Sequence, residues 1–424
     1  MPGDQAVDQT AEASGRFWRI ASAGVLFQGG AAAVDTSTII AALVHGLTGS
    51  LFAVGAAAAI ARTGWLVPQV IVGYLAQRRR RRLGFYAVGA LGRVACLAGV
   101  AVLVAGVGDR PGPAALAAFF ALWTAYAFVS GIVAVPYNDI VARSIPSARR
   151  SRMLAIRFFG GGVLALIVAL LAARLIDGLP FPRGHAGVVG IGAMLLLGSA
   201  LCFMSAGEQD AALPVEPDRG FGAYLRAGID VFGSDRRLRL FVYTQWLGGG
   251  VAMALPFYIL QPGVAADGAS NVALLLAAQT AGALLSNPLW GWWGDVRGKR
   301  SLLQTVAVAG AFAPLLTLAW LASGDTRSAL AWFALVFALL GAVGSGGTIA
   351  QLGYLMEISP DTRRPAYSGY FNALVAPAAL LPLAGAAIAM LLPVSAVFSL
   401  SALAAVLQVV AIRRMHDDNI AAPR

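Results

Sequence analysis

A chain of 424 residues that is 58% hydrophobic and only 12% charged, with a mean hydropathy of +0.74, has too little polar surface to be wetted as a globule. Soluble domains carry about 25% charged and 45–50% apolar residues, so lipid must cover much of this one. The net charge of +11, from 31 basic and 20 acidic residues, does not imply a nucleic-acid partner, because the basic residues sit in short loops between apolar runs, where they set membrane topology.

The first 16 residues contain Asp4, Asp8 and Glu12 and no basic stretch ahead of a short apolar one, so no cleavable signal peptide is expected. Crossing a bilayer core takes about 20 apolar residues at 1.5 Å rise. Runs of that length predict helices at 17–43, 49–77, 83–107, 113–140, 153–177 and 186–206, then at 237–261, 269–293, 300–323, 327–355, 366–391 and 393–412. Barrel strands would instead show alternating segments of about ten residues. The expected fold is all-α, with twelve transmembrane helices in two pseudo-symmetric six-helix bundles, 1–206 and 237–424, joined by a cytoplasmic linker, 207–236.

Arginine placement orients the chain. One face receives Arg78 to Arg82, then Arg143, Arg149, Arg150 and Arg152, then Arg297, Lys299 and Arg300, then Arg363 and Arg364, then Arg413 and Arg414. The other face receives little beyond Arg110, Arg183 and Arg327. Both termini are therefore expected in the cytoplasm, in a cytoplasmic (inner) membrane. The five-arginine run either marks the inside or binds anionic lipid. In the linker, Pro214 and Pro217 break the chain early. Phe221, Tyr224, Leu225, Val231 and Phe232 then fall near one helical face, with Arg226, Asp230 and Arg236 free to face water or headgroups. That pattern suits an interfacial amphipathic helix or an ordinary linker.

The halves repeat. Gly73-Tyr74-Leu75-Ala76-Gln77-Arg78 is matched 218 residues later by Gly291-Trp292-Trp293-Gly294-Asp295-Val296. Pro146-Ser147-Ala148-Arg149-Arg150 is matched 214 residues later by Pro360-Asp361-Thr362-Arg363-Arg364. Two motifs at nearly one separation, close to half the chain, indicate parallel six-helix repeats.

The stretch Gly291 to Arg300, with Gly291, Asp295, Arg297, Gly298, Lys299 and Arg300 in order, resembles the signature loop of the major facilitator superfamily. The resemblance implies a secondary transporter that moves a small solute by rocker-switch alternating access, with an ion, a proton, coupled to it. It also implies that Asp295 is a cytoplasmic latch acid, with Arg297 and Arg300 as candidate partners of Glu357 or Asp361. The first repeat departs from the pattern: Gln77 stands in the place of the acid and Arg80 in that of the second glycine. The fifth predicted helix reads Arg157-Phe158-Phe159-Gly160-Gly161-Gly162, without the Gly-Pro pair of many drug–proton antiporters of that family.

Ionisable residues at bilayer depth are costly and mark function. Asp35, Arg62 and Arg157 stand out, while Arg93 and Arg174 are expected to snorkel to an interface. Asp35 shares a helical face with Gln28, and Arg62 shares one with Trp65 and Gln69. Asp35 is expected either to pair with Arg62 or to titrate in a cavity. Trp123, Tyr126 and Ser130, Tyr243 and Gln245, Gln279 and Ser286, Thr348 and Gln351, and Tyr370 and Asn372 add polar or aromatic groups; in the resembled fold helices 1, 4, 7 and 10 line the central cavity. Each of these groups could also serve only as helix–helix glue.

Cys96 and Cys202 lie inside apolar runs, and His45, His185 and His416 have no metal-ligand spacing, so neither a disulfide framework nor a metal site is expected. No cofactor and no enzymatic activity is expected, and the absence of a Gly-x-x-x-x-Gly-Lys-Ser/Thr stretch speaks against nucleotide-driven transport. Partners are expected to be a small solute, protons and lipid, with the protein a monomer. A lipid or amphiphile flippase of the same fold, and a non-transporting sensor or chaperone subunit, remain as alternatives.

Overall fold

A computed structural model describes residues 2–76, 79–108, 111–145, 147–208, 220–261, 269–324, 328–359 and 364–415. Gln77, Arg78, Arg110, Pro146, Pro214, Pro217, Arg327, Pro360, Asp361, Thr362, Arg363 and His416 lie outside the described residues. Among those described, the chain is helical without a strand. The first repeat holds α1 (Pro2–Ala32), α2 (Ile39–Thr48), α3 (Leu51–Ala76), α4 (Leu83–Gly106), α5 (Pro113–Ser144), α6 (Ser147–Gly178) and α7 (Arg183–Ser205). After α8 (Phe221–Ser234), the second holds α9 (Arg236–Ala252), α10 (Ala269–Val296), α11 (Lys299–Ser323), α12 (Ala329–Ile358), α13 (Arg364–Val375), α14 (Leu381–Leu391) and α15 (Val394–Arg414).

Eleven helical spans among the described residues are long and apolar enough to cross a membrane, and each corresponds to one predicted helix from the second to the twelfth. The protein is a multi-pass membrane protein. Three predicted helices are not continuous. The first divides between α1 and α2; the seventh ends as α9 and continues in a 3-10 turn, Leu255–Phe257; the eleventh is α13, a 3-10 stretch Ala376–Leu380, and α14.

The breaks have local causes. Asp35-Thr36-Ser37-Thr38 is a run of short polar side chains that compete with helical hydrogen bonds. Asp35 Oδ1 accepts from the Ser37 amide at 2.9 Å, from Ser37 Oγ at 2.6 Å and from Thr38 Oγ1 at 3.0 Å. The later breaks carry Pro256 and Pro377, and Pro382 stands in the first turn of α14; proline removes a backbone donor and clashes with the preceding turn.

By contacts the chain divides into two compact units, Met1–Val34 with Ile71–Glu216, and Asp35–Val70 with Pro217–Arg424. The core of the first includes Phe17, Ile20, Tyr86, Ile140 and Phe203, with the Tyr86 and Phe203 rings 4.2 Å apart. In the second, Phe241 stacks on Phe371 at 4.8 Å and meets Tyr354 edge-on at 4.9 Å. Here α10 and α12 approach backbone to backbone: a Cβ on Gly341 would lie 1.8 Å from the Gln279 carbonyl oxygen, and one on Gly282 would lie 1.9 Å from that of Ala338. The glycine-rich stretch from Gly341 thus serves close packing.

The linker's second part is the helix α8. Val231 and Phe232 pack against the second unit's core, while Phe221, Leu225 and Ile229, spaced four apart, stay exposed. Arg239 Nη1 donates to the Phe232 and Gly233 carbonyls at its end. Asp235 then caps α9, accepting from the Arg237 and Leu238 amides at 2.9 and 3.1 Å.

Candidate functional site

Two of the breaks border one cavity of about 340 Å³ in the second unit. Thr36 and Ser37 enter from the turn after α1; Ala252, Leu255 and Pro256 enter from the end of α9 and its 3-10 turn. The wall from α3 is Ala58, Ala61, Arg62 and Trp65, and Pro382 of α14 closes another side. The bordering breaks fall in the first and seventh predicted helices, which correspond between the repeats. Interruptions in corresponding positions are the membrane-protein pattern for a binding site.

Arg62 is the cavity's charged group. Its side chain is exposed and forms no ion pair or hydrogen bond among the described residues. The pair expected between Asp35 and Arg62 is therefore not formed: the turn's own donors occupy Asp35 Oδ1. The break after α1 also ends the helical register that would align Gln28 with Asp35. Gln28 belongs to the first unit, where it packs on Gly161; a Cβ there would lie 2.6 Å from Gln28 Cβ.

Other candidates gather near the cavity. Ser37 Oγ lies 3.2 Å from Gln279 Oε1. Gln69, buried on the face that carries Arg62 and Trp65, donates to the Trp65 carbonyl at 2.7 Å and accepts from Asn372 Nδ2 at 3.3 Å. The rest do not join it. Tyr243 is exposed and packs against Phe232 of α8 and Trp246. Gln245 is half-buried beside Thr244. Thr348 donates back to the Gly344 carbonyl at 3.0 Å, and Gln351 is half-buried on α12. In the first unit Trp123 is fully buried, stacked on Tyr126 at 5.1 Å, with Ser130 half-buried one turn on.

Two further arginines sit at membrane depth in the first unit. Arg93, expected to snorkel, is instead 3% exposed on the inner face of α4, with its guanidinium 5.1 Å from the Phe27 ring centre. Arg157 lies 5.6 Å from the same ring and 5.1 Å from that of Tyr137, whose hydroxyl accepts from Nη1 at 2.9 Å. Its stem crosses α1 at Gly24, where a Cβ would stand 2.7 Å from Arg157 Cγ. Aromatic faces take the place that water or a carboxylate would otherwise hold.

In the predicted latch loop, Gly298 adopts φ +86° between α10 and α11, a conformation that side chains other than glycine rarely take. Asp295, 77% exposed, pairs with Lys299 at 2.8 Å. Arg297 stacks on Trp293, 5.0 Å from the ring centre. Arg300 donates to the Ile412 and Arg413 carbonyls at the end of α15, where a cation suits the helix dipole. Glu357 is exposed on α12 and has no ion pair among the described residues.

Sequence reasoning missed a stronger cluster on the arginine-rich face of the first unit. Glu208, whose side chain is 3% exposed, accepts from the Arg82 and Leu83 amides at 2.7 Å each, at the start of α4. It also takes Arg143 Nη2 at 2.8 Å. Asp139 bridges Arg143 and Arg82. The spacing of Asp139 and Arg143, four apart on a helix, was the available signal. Nothing in the linear order tied Glu208 to them.

No family model matches the chain. It is 23% identical over 368 residues to an uncharacterised protein of Mycobacterium tuberculosis, Rv2209, and equally to Mb2232 of Mycobacterium bovis, covering 86% of this chain and 70% of each relative. Among solved structures it is similar to a POT family transporter in complex with a thioalcohol-conjugated peptide (TM-score 0.74, 12% identity, 96% of each chain). It is similar also to the nucleoside transporter NupG (TM-score 0.70, 13% identity, 95% of this chain and 100% of that one). A third is a bacterial homologue of the iron transporter ferroportin, in its outward-facing state (TM-score 0.65, 14% identity, 95% and 99%). The chain therefore has the fold of these solved transporter structures.

Proposed function

We propose that this protein is a secondary active transporter that carries a small solute across the cytoplasmic membrane by alternating access, with both termini in the cytoplasm. The observation that carries the reading is the cavity at the interruptions of two corresponding helices, open to an unpaired Arg62. The fold it shares with nucleoside, peptide and iron transporters supports the same reading. The test is access from both sides. In a variant whose native Cys96 and Cys202 are replaced by alanine, Ala61→Cys should react with a membrane-impermeant thiol reagent in right-side-out and in inside-out vesicles alike. Reaction from one side only, at every exposure time, identifies a static receptor or sensor and overturns transport.

Proton coupling is assigned to Asp35. Protonation of its carboxylate would weaken the acceptor that holds the Ser37 amide, the Ser37 hydroxyl and Thr38, and with it the turn bordering the cavity. Asparagine keeps an Oδ1 acceptor but not the charge. Asp35→Asn should therefore fold with near-normal yield, keep solute exchange and lose accumulation driven by a pH gradient. Asp35→Ala leaves the Ser37 amide without its partner and should cost about 1–3 kcal/mol of stability. Undiminished accumulation by Asp35→Asn proteoliposomes would exclude Asp35 as the coupling group.

A further inference from the structure

Arg62 is the one charged residue among those lining the cavity. The wall is otherwise Thr36, Ser37, Ala58, Ala61, Trp65, Ala252, Leu255 and two prolines, and the Arg62 guanidinium, with five N–H donors, makes no hydrogen bond or ion pair among the described residues. A guanidinium held at bilayer depth without a carboxylate beside it is costly unless an anion or water completes it. Arg62 stands eleven residues into α3, about 16 Å from its start at helical rise, half of a hydrocarbon core about 30 Å thick. Lipid headgroups do not lie at that depth. Asp35 does not line the cavity, and its Oδ1 is committed to the turn. In the first unit, likewise, neither Arg93 nor Arg157 pairs with an acid among the described residues.

We propose that the solute is a small organic anion whose carboxylate or similar acidic group is received by Arg62, with its apolar body against the Trp65 indole. Guanidinium presents paired donors that match a carboxylate. A volume of about 340 Å³ is near the lower end of small-molecule sites, roughly 300–1,000 Å³. Trp65, one turn along the same helix, supplies an apolar face beside the charge. The assignment rests on the transporter reading, and names the charge class of its solute.

The test uses full-length protein lacking Cys96 and Cys202, carrying Ala58→Cys, in nanodiscs of neutral phosphatidylcholine. Ala58 lies one turn before Arg62 and lines the cavity. Labelling rates are measured for a sulfonate-bearing and a trimethylammonium-bearing methanethiosulfonate of similar size, each relative to a free thiol. The anionic reagent should be favoured about tenfold or more, as expected for a unit charge a few ångströms away at an effective dielectric near 20. Arg62→Lys should keep that preference and Arg62→Gln should abolish it, with folded fractions matched by size-exclusion chromatography. Benzoate should slow labelling, whereas benzamide and benzylamine should not, and Arg62→Gln should remove the protection.

A charge preference that survives Arg62→Gln, or equal protection by benzamide, overturns the assignment. Protection by added phosphatidylglycerol but not by benzoate overturns it too, making the cavity a lipid site. The outcomes separate from those for transport: two-sided labelling of Ala61→Cys without anion preference leaves a transporter of another solute class. One-sided labelling with anion preference leaves an anion receptor.

Discussion

Gly341→Ala should leave little folded protein, with a melting temperature in detergent well below that of the parent. A Cβ at this position would stand 1.8 Å from the Gln279 carbonyl oxygen and 3.0 Å from the Ala283 amide nitrogen. The obstacle is backbone, not the tip of a flexible side chain, so α10 and α12 must separate. Overpacking in tight cores costs about 1–3 kcal/mol and occasionally more, and this overlap belongs at or above the upper end. Helix separation also disturbs Gln279, beside Ser37 at the break that borders the cavity, so loss of fold and loss of site should coincide. Gly344→Ala is the control: it lies one turn on, on the same helix, and a Cβ there meets nothing within 4 Å. It should be neutral or slightly stabilising, since alanine is the better helix former by roughly 1 kcal/mol. If Gly341→Ala melts as high as Gly344→Ala, α10 and α12 do not approach backbone to backbone at this position.

Glu208→Ala should be the most damaging single change on the arginine-rich side of the first unit, at about 3–5 kcal/mol, the range for removing one partner of a buried ion pair. Both carboxylate oxygens accept from backbone amides at the start of α4, and one also holds Arg143. Without them two helix-start donors and part of Arg143 lose their acceptor together. Glu208→Gln should also be destabilised, by less, because the amide keeps one acceptor oxygen but turns an NH₂ group toward backbone N–H groups. Asp295→Asn provides the contrast. Its pair with Lys299 is 77% exposed on the acid's side, and exposed pairs contribute roughly 0–1 kcal/mol. Thermal unfolding of the three variants checks the ranking, and a Glu208→Ala protein as stable as Asp295→Asn would contradict it. The cluster also bears on the first repeat's departure at Gln77. A buried carboxylate does stand at the start of a helix there, and Glu208 brings it from beyond α7.

Hydropathy alone determined the helical class and the eleven later spans, because a bilayer demands about 20 apolar residues for each crossing whatever the helix packs against. Proline and the Asp35–Thr38 polar run were visible too, yet averaging over a long window hid the breaks they cause. A few local hydrogen bonds decide a break, and the mean over a segment does not register them. Tertiary structure decided the partners. Arg62, Arg93 and Arg157 are the same residue in similar apolar surroundings. One faces a cavity, one lies under the Phe27 ring and one is held by Tyr137, because the fate of a long charged side chain depends on what the neighbouring helices present. Asp35 could be placed at membrane depth from its position in the chain. Only the folded turn spent its carboxylate on Ser37 and Thr38 and left Arg62 unpaired. Glu208 needed the fold most, since its partners at 82, 83 and 143 are brought to it by packing across three helix ends, those of α4, α5 and α7.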